Sequence, residues 1–366
     1  MPTIVTVGGV KTSIECETNS AVDSTGSNQE ISSDIPKTIN GAGELGDVNA
    51  IIRHFNLDPK RASVVLRLLS DTPESRFHWF RMDGRLIDGL LEPIIVTANS
   101  DIRIANFQTS SSTFLVVSKS ARPHTASEND KAKRVKECSS IKEFIIGLIL
   151  DHKGILSAFG IMKDKANPSN LVIISKYQKN GTLFSYLQDH LQVNQISLLM
   201  EVADGLCYMH SLTCPVLHGD VKSHNIVIDD DGRPLLTDFG SAAIRDPITL
   251  RFPYRLGGTP RWMACEAYVP SLFPATLFID SYAFASTAIE VFTRKRPFNN
   301  IDPDAAVIVK VVVDKEHPLR PEGMEAGELT DDLWKMLVKC WEFNPSDRPS
   351  MQEIRDLLRG MLLSID

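Results

Sequence analysis

The run His218-Gly219-Asp220-Val221-Lys222-Ser223-His224-Asn225, followed by Asp238-Phe239-Gly240, gathers two carboxylates, a lysine and a carboxamide in a short stretch of chain. Such a set can activate a hydroxyl, steady a phosphate and hold Mg²⁺. Asp and Asn supply hard oxygen ligands, and Lys supplies a compact positive charge on a flexible stem. Between the two runs, Ile226-Val227-Ile228 and Leu235-Leu236 are short apolar stretches separated by Asp229-Asp230-Asp231-Gly232. Asp-Gly between such stretches predicts a hairpin, with Asn225 at its entrance and Asp238 at its exit brought to one end. The bland alternative is a surface hairpin whose polar residues only face water, and the agreement of motif with context argues against it.

Other elements must position this hairpin. Leu198, Leu199, Val202, Ala203, Leu206 and Met209 fall at helical spacing just before it. Leu333, Trp334, Leu337, Val338 and Trp341 form a second helical face, and Ser350-Met351-Gln352-Glu353 has the form of a capping box opening a final helix. Earlier in the chain, Ile102, Ile104 and Phe107, then Phe114 and Val116, read as short strands. Ser139 to Leu150 reads as a helix, and Leu171-Val172-Ile173-Ile174 as a buried strand. Gln178-Lys179-Asn180-Gly181 is a turn-forming connection to the helical part. Residues 1–46, rich in Ser, Thr, Asn, Asp and Gly from about Glu15, read as a disordered tail. Residues 47–93 read as a helical extension, with two short helices around Asp58-Pro59 that brace the next domain or, alternatively, engage a protein partner.

A chain of 366 residues has room for one two-lobed domain plus an extension. Its net charge of −7 argues against nucleic acid as the main partner. Six cysteines, at 16, 138, 207, 214, 265 and 340, lack C-x-x-C spacing and read as reduced thiols. The first residues lack the basic and apolar regions of a signal peptide, and no uncharged apolar run approaches membrane-spanning length. The expectation is a soluble cytoplasmic protein without membrane contact.

Over about Ile94 to Leu363 the chain resembles a eukaryotic protein kinase. It is most similar to the tyrosine-kinase-like branch and to the expanded kinase families of mushroom-forming fungi. The catalytic run matches H-R-D-x-x-x-x-N followed by D-F-G, with Gly219 in place of the arginine. Gly258-Thr259-Pro260-Arg261-Trp262-Met263-Ala264-Cys265-Glu266 resembles the end of an activation segment, with Cys265 where A-P-E has proline. Asp280-Ser281-Tyr282-Ala283-Phe284 resembles the start of the central large-lobe helix, and Cys340 to Pro349 resembles the close of the domain in this branch.

The resemblance implies an α+β, bilobal kinase fold over 94–363. A mainly β small lobe with one regulatory helix (about 94–178) would precede a mainly α large lobe (about 179–363). It implies ATP and Mg²⁺, a protein substrate, and transfer to Ser/Thr hydroxyls, the last suggested by Lys222 and Thr259. Asp220 matches the catalytic aspartate and Lys222 the lysine at the γ-phosphate, while Asn225 and Asp238 match the Mg²⁺ ligands. Lys119 and Glu143 match the lysine–glutamate pair that clamps the α- and β-phosphates. Ser175 matches the gatekeeper, and Lys176-Tyr177-Gln178 the hinge that contacts adenine through its backbone. Glu266 and Arg348 match a buried ion pair, His218 a core histidine packed on Phe239, and Cys265 a tolerated change with no support for a reactive thiol. Gly219 leaves no arginine to read phosphorylation at Ser241, Thr249 or Tyr254.

One family feature is missing. No glycine occurs from Leu90 to Ile146, so the phosphate-covering G-x-G-x-x-G loop is absent. The stretch before Lys119, roughly Ile104 to Phe114, offers Gln108-Thr109-Ser110-Ser111-Ser112-Thr113 instead. Losing two charge-assisted contacts of about 1.5 kcal/mol each costs about 3 kcal/mol, or about 150-fold in rate if it falls on the transition state. The leading expectation is a Ser/Thr protein kinase with atypical regulation. The alternative is a pseudokinase acting as a nucleotide-binding or scaffolding module.

Overall fold

The computed structural model describes residues 5–7, 10–12, 80–81, 86–87, 95–96, 100–108, 113–121, 143–147, 149–163, 171–244, 258–270, 276–322 and 329–364. A hairpin of β1 (Val5–Val7) and β2 (Val10–Thr12) belongs to a separate compact unit, residues 1–35. Its strands are joined by Gly8-Gly9, a pair suited to a two-residue hairpin turn.

The small lobe is built on one sheet. Its strands are β3 (Phe80–Arg81), β4 (Leu86–Ile87), β5 (Ile95–Val96), β6 (Ser100–Gln108), β7 (Thr113–Ala121), β8 (Ala158–Lys163) and β9 (Leu171–Lys176). The order is β3-β8-β9-β7-β6-β4, with β5 also paired to β6; among the described strands β3 and β8 run parallel and the other pairs antiparallel. Phe80–Arg81 and Leu86–Ile87, which lie before residue 94, thus pair within this sheet. Strands of two residues carry no readable period, and pairing with a distant strand is what makes them strands. The helices expected around Asp58-Pro59 lie outside the described residues.

Strand β7 alternates cleanly. Phe114, Val116, Ser118 and Ser120 are buried, whereas Leu115, Val117 and Lys119 are not. The buried face joins Ala105, Phe107, Val172 and Ile174 in a small cluster, with Phe107 and Phe114 edge to face at 5.1 Å. Ile102 and Ile104 pair with Lys119 and Val117, so they lie on the opposite face from Phe107. Residues 143–147 are helical, and Ile145, Ile146, Ile149 and Leu150 pack into the large-lobe core rather than this cluster.

The large lobe begins with α1 (Leu183–Asp189) and α2 (Gln195–Ser211), capped by Thr182 and Asn194. Two short ladders follow: β10 (Val216–Leu217) pairs with β13 (Ala243–Ile244), and between them β11 (Ile226–Ile228) pairs with β12 (Pro234–Leu236). The remaining helices are α3 (Cys265–Tyr268), α4 (Phe278–Thr293), α5 (Asp304–Val309), α6 (Asp331–Cys340) and α7 (Met351–Leu363). Helix α4 is the axis of this lobe, buried at every position from Ile279 to Phe292. The capping box foreseen at Ser350 and Glu353 is present. Among the described residues no helix is long and apolar enough to cross a membrane.

Candidate active site

Helix α4 sets the catalytic loop from below. Asp280, fully buried near its start, accepts bonds from the backbone N–H groups of His218 (2.8 Å) and Gly219 (2.9 Å) and pairs with His210 (2.8 Å). His218 is itself buried, its ring 5.5 Å from Phe239 and its Nε2 3.1 Å from the Thr237 carbonyl oxygen, as expected of a core histidine. Further along α4, Glu290 accepts from the Ser223 N–H (3.0 Å), the Ser223 hydroxyl (2.8 Å) and the Trp262 indole N–H (2.9 Å). Burial pushes the Glu290 carboxyl up to about 7, although these bonds oppose the shift.

On this platform Asp220, Lys222 and Asn225 converge. The Asp220 Oδ2 accepts from Lys222 Nζ at 2.7 Å and Asn225 Nδ2 at 2.8 Å, while Oδ1 accepts from the Thr259 N–H and hydroxyl, both at 3.0 Å. Lys222 Nζ also donates to Thr259 Oγ1. Asn225 Nδ2 makes a further bond to the Asp220 carbonyl oxygen at 2.9 Å, so its two hydrogens are committed and its Oδ1 is turned the other way. The β11–β12 ladder pairs Ile226 with Leu236, and the Thr237 N–H bonds the Asn225 carbonyl oxygen at 3.0 Å. Asn225 and Asp238 therefore leave the same end of the hairpin, as the turn chemistry implies.

Across the cleft, Lys119 Nζ lies 2.7 Å from Glu143 Oε1 and 2.6 Å from Asp238 Oδ1. Burial works against the Lys119 charge, but the Glu143 and Asp238 carboxylates more than offset it, and its pKa rises well above the ordinary lysine range. Burial likewise pushes the Asp238 carboxyl up, and the Lys119 ammonium overrides it to hold Asp238 below its usual value. The Asp238 side chain is still 40 % exposed, so a ligand can reach it. Asp238 and Asn225 are hard oxygen donors that fit a Mg²⁺ completed by phosphates and water. Among the described residues no cluster of three His, Cys, Asp or Glu side chains could hold a metal.

Ser175, half-buried, pairs with Val117 in the sheet, and Lys176 pairs with Val116. Strand alternation sends the Lys176 side chain to the face away from Lys119. Gln178 is buried and its Oε1 has no partner, so its side chain does not open onto the cleft surface. Ile104 and Val117 are adjacent across β6 and β7 on the same sheet face as Lys119. Sequence reading missed them because it grouped Ile104 with Phe107.

The register also corrects the position of the lid. Thr113 pairs with Gln108, six residues from Lys119 along β7, or about 20 Å at the usual rise per residue. Gln108 and Thr113 are therefore at the hinge end of the sheet, where the Tyr177 N–H meets the Leu115 carbonyl oxygen at 3.3 Å. At the other end of the sheet Ile102 faces Lys119 and Ser100 faces Ala121, so the facing ends of β5 and β6, which Thr97-Ala98-Asn99 joins in sequence, are the ones near Lys119. That connection also lacks glycine.

Glu266 and Arg348 form the expected buried pair, bidentate at 2.6 and 2.9 Å with both side chains 0 % exposed. The sequence reading gave no role to Arg261. Its guanidinium is buried and bonds Asp304 (2.7 Å), Asp302 (2.9 Å) and the carbonyl oxygens of Phe298 (2.6 Å), Ile301 (2.8 Å) and Pro297 (3.2 Å). It ties the end of the activation segment to the loop before α5. Cys265 is buried and its thiol is pushed up to about 11, chiefly by burial, so it is unreactive. Gly219 adopts φ +78°, and a Cβ there would lie 2.7 Å from the Ser241 carbonyl oxygen, so any side chain is strained.

The protein kinase domain family matches residues 108–357. Curated relatives include the serine/threonine-protein kinase TNNI3K of Rattus norvegicus, 27% identical over 221 residues, which are 59% of this chain and 25% of that protein. The serine/threonine-protein kinase CTR1 of Arabidopsis thaliana is 29% identical over 239 residues, 64% of this chain and 27% of that protein. Mitogen-activated protein kinase kinase kinase 7 of Drosophila melanogaster is 30% identical over 237 residues, 63% of this chain and 31% of that protein. The chain thus spans a quarter to a third of the length of these relatives. Its α+β bilobal architecture, its ordered motifs and this match agree: the chain belongs to the protein kinase family.

Proposed function

We propose that this domain transfers the γ-phosphoryl group of ATP to Ser/Thr hydroxyls of a protein substrate, and that it does so in the cytoplasm. The observation that carries the reading is the Asp220 carboxylate, fixed by Lys222, Asn225 and Thr259 at the mouth of a cleft crossed by Lys119. Asp220 orients the substrate hydroxyl and accepts its proton as the new O–P bond forms and the bond to the ADP oxygen breaks. Lys222 stands beside that carboxylate, placed to balance charge on the transferring group. Lys119 has three N–H donors and spends two on Glu143 and Asp238, leaving one for the α- and β-phosphates. Asn225 Oδ1 and Asp238 would hold Mg²⁺, which when bound neutralises the β- and γ-phosphate oxygens. Ile104 and Val117 cover the adenine, which the backbone of Lys176 to Gln178 recognises.

A second reading, a pseudokinase that binds nucleotide or scaffolds partners, draws support from the glycine-free lid. Transfer of labelled γ-phosphate to a generic basic substrate, with Asp220→Ala as the comparison, separates the two. Loss of signal by about 10²- to 10⁴-fold in the variant supports the enzyme. Equal signals from two folded proteins would leave only the scaffold.

A further inference from the structure

The three consecutive aspartates of the β11–β12 turn do three different things. Asp229 shapes the turn, its Oδ1 accepting from the N–H groups of Asp231 (2.9 Å) and Arg233 (2.8 Å). Asp231 pairs with Arg233 at 2.9 Å, out in solvent. Asp230 instead faces the hinge. Its Oδ2 lies 2.9 Å from Lys176 Nζ and its Oδ1 3.3 Å from Lys179 Nζ. Those lysines flank Tyr177 and Gln178, so one carboxylate of the large lobe holds both ends of the segment proposed to read adenine.

On the large-lobe side the segment is already fixed. Asn180 Nδ2 bonds the Asp229 carbonyl oxygen at 2.6 Å, and the Ile228 N–H bonds the Gly181 carbonyl oxygen at 2.9 Å. Lys176 is different, because it is the last residue of β9 and so belongs to the small-lobe sheet. A second side-chain tie from this sheet toward the hairpin, among the described residues, is Lys119 to Asp238, which lies in the proposed nucleotide site and must reorganise to admit phosphates. The Lys176–Asp230 tie leaves from the opposite face of the sheet and meets the far end of the same hairpin, so nucleotide does not compete for it.

We propose that Asp230 is a positioning residue. Through Lys176 it latches the small-lobe sheet to the hairpin that carries Asn225 and Asp238, and so holds the hinge backbone in its nucleotide-binding arrangement. The inference rests on the nucleotide-binding part of the function proposed above. Losing the latch lowers the fraction of molecules in the competent arrangement, and apparent affinity falls by that fraction. Lys176 and Asp230 are 29 % and 31 % exposed, so the effect is modest.

The test uses the full chain, with Mg²⁺·ATP binding by calorimetry and amide hydrogen exchange of residues 177–181 without nucleotide. Asp230→Asn and Lys176→Met should each weaken binding about 2- to 5-fold and speed hinge exchange. The double variant should do no worse than either single one, and Asp230→Glu should keep wild-type behaviour. Single effects that simply add, or unchanged hinge exchange in Asp230→Asn, would overturn the latch. Wild-type protein that binds no Mg²⁺·ATP, while Asp230→Asn still speeds hinge exchange, would overturn the phosphotransfer reading and the nucleotide-positioning role, and would support only the tie between sheet and hairpin.

Discussion

In the large lobe, Asp280, Glu266 and Glu290 are buried carboxylates whose oxygens are met by named donors, and they sit within one extensive apolar core. In the small lobe, the sheet has a core cluster of six described residues, and its key polar group, Lys119, is held from outside that cluster by Glu143 and Asp238. The large lobe thus fixes its catalytic groups by burial, where a misplaced partner is expensive. The small lobe fixes its lysine by an ion-pair bridge whose Asp238 end is 40 % exposed, so water can reach one side of it. Stability and catalysis should therefore respond differently to charge removal in the two places.

The largest effect tests that contrast directly. Arg348→Met strands the Glu266 carboxylate in a dry site and should cost about 3–5 kcal/mol of unfolding free energy in urea denaturation. Lys119→Met removes a cation shared by Glu143, 15 % exposed, and Asp238, 40 % exposed, and should cost less stability than Arg348→Met while abolishing phosphoryl transfer. Equal stability losses would break the comparison.

Glu290 sharpens it through pH. Its folded pKa of about 7 lies above its ordinary value of 4.5, so the folded state binds the proton more tightly than the unfolded chain. Stability from this group is complete below about pH 4.5 and is lost as pH rises to about 7, a change of about 3 kcal/mol. Glu290→Gln keeps a neutral carboxamide against Ser223 and Trp262 and should remove that component. The check is the difference between wild-type and variant stability across this range, which should slope with pH and flatten above 7. A level difference would mean that Glu290 is already ionised in the folded protein.

What the sequence made legible follows the same division. Asp220, Lys222, Asn225, Asp238, Glu266 and Arg348 could be named because their chemistry demands particular residue types at local spacing or in recognisable motifs. Even Lys119 and Glu143, picked from among several candidates, are brought together. Three things escaped for one reason: they depend on which distant residues meet. Arg261 looks like a surface arginine until the carbonyl groups of 297–301 close around it. The two-residue strands before residue 94 exist only by pairing. The lid was placed one hairpin too late, because a serine-rich loop before Lys119 looks right until the β6–β7 register shows which end it occupies.

That register gives the smallest and most discriminating prediction. If Thr97-Ala98-Asn99 covers the phosphates, a glycine there should let a backbone N–H approach more closely than a β-carbon allows. One recovered charge-assisted contact of about 1.5 kcal/mol corresponds to about tenfold in rate. Asn99→Gly should therefore raise phosphoryl transfer about tenfold. Ser111→Gly, between Gln108 and Thr113, whose strand ends lie about 20 Å along β7 from Lys119, should leave the rate unchanged. The reverse pattern would return the lid to the serine loop and would mean that β6 and β7 pair in a different register. No gain from either change would mean that the small lobe limits the reaction through the Lys119 bridge itself, making charge placement, not loop chemistry, what separates the two lobes.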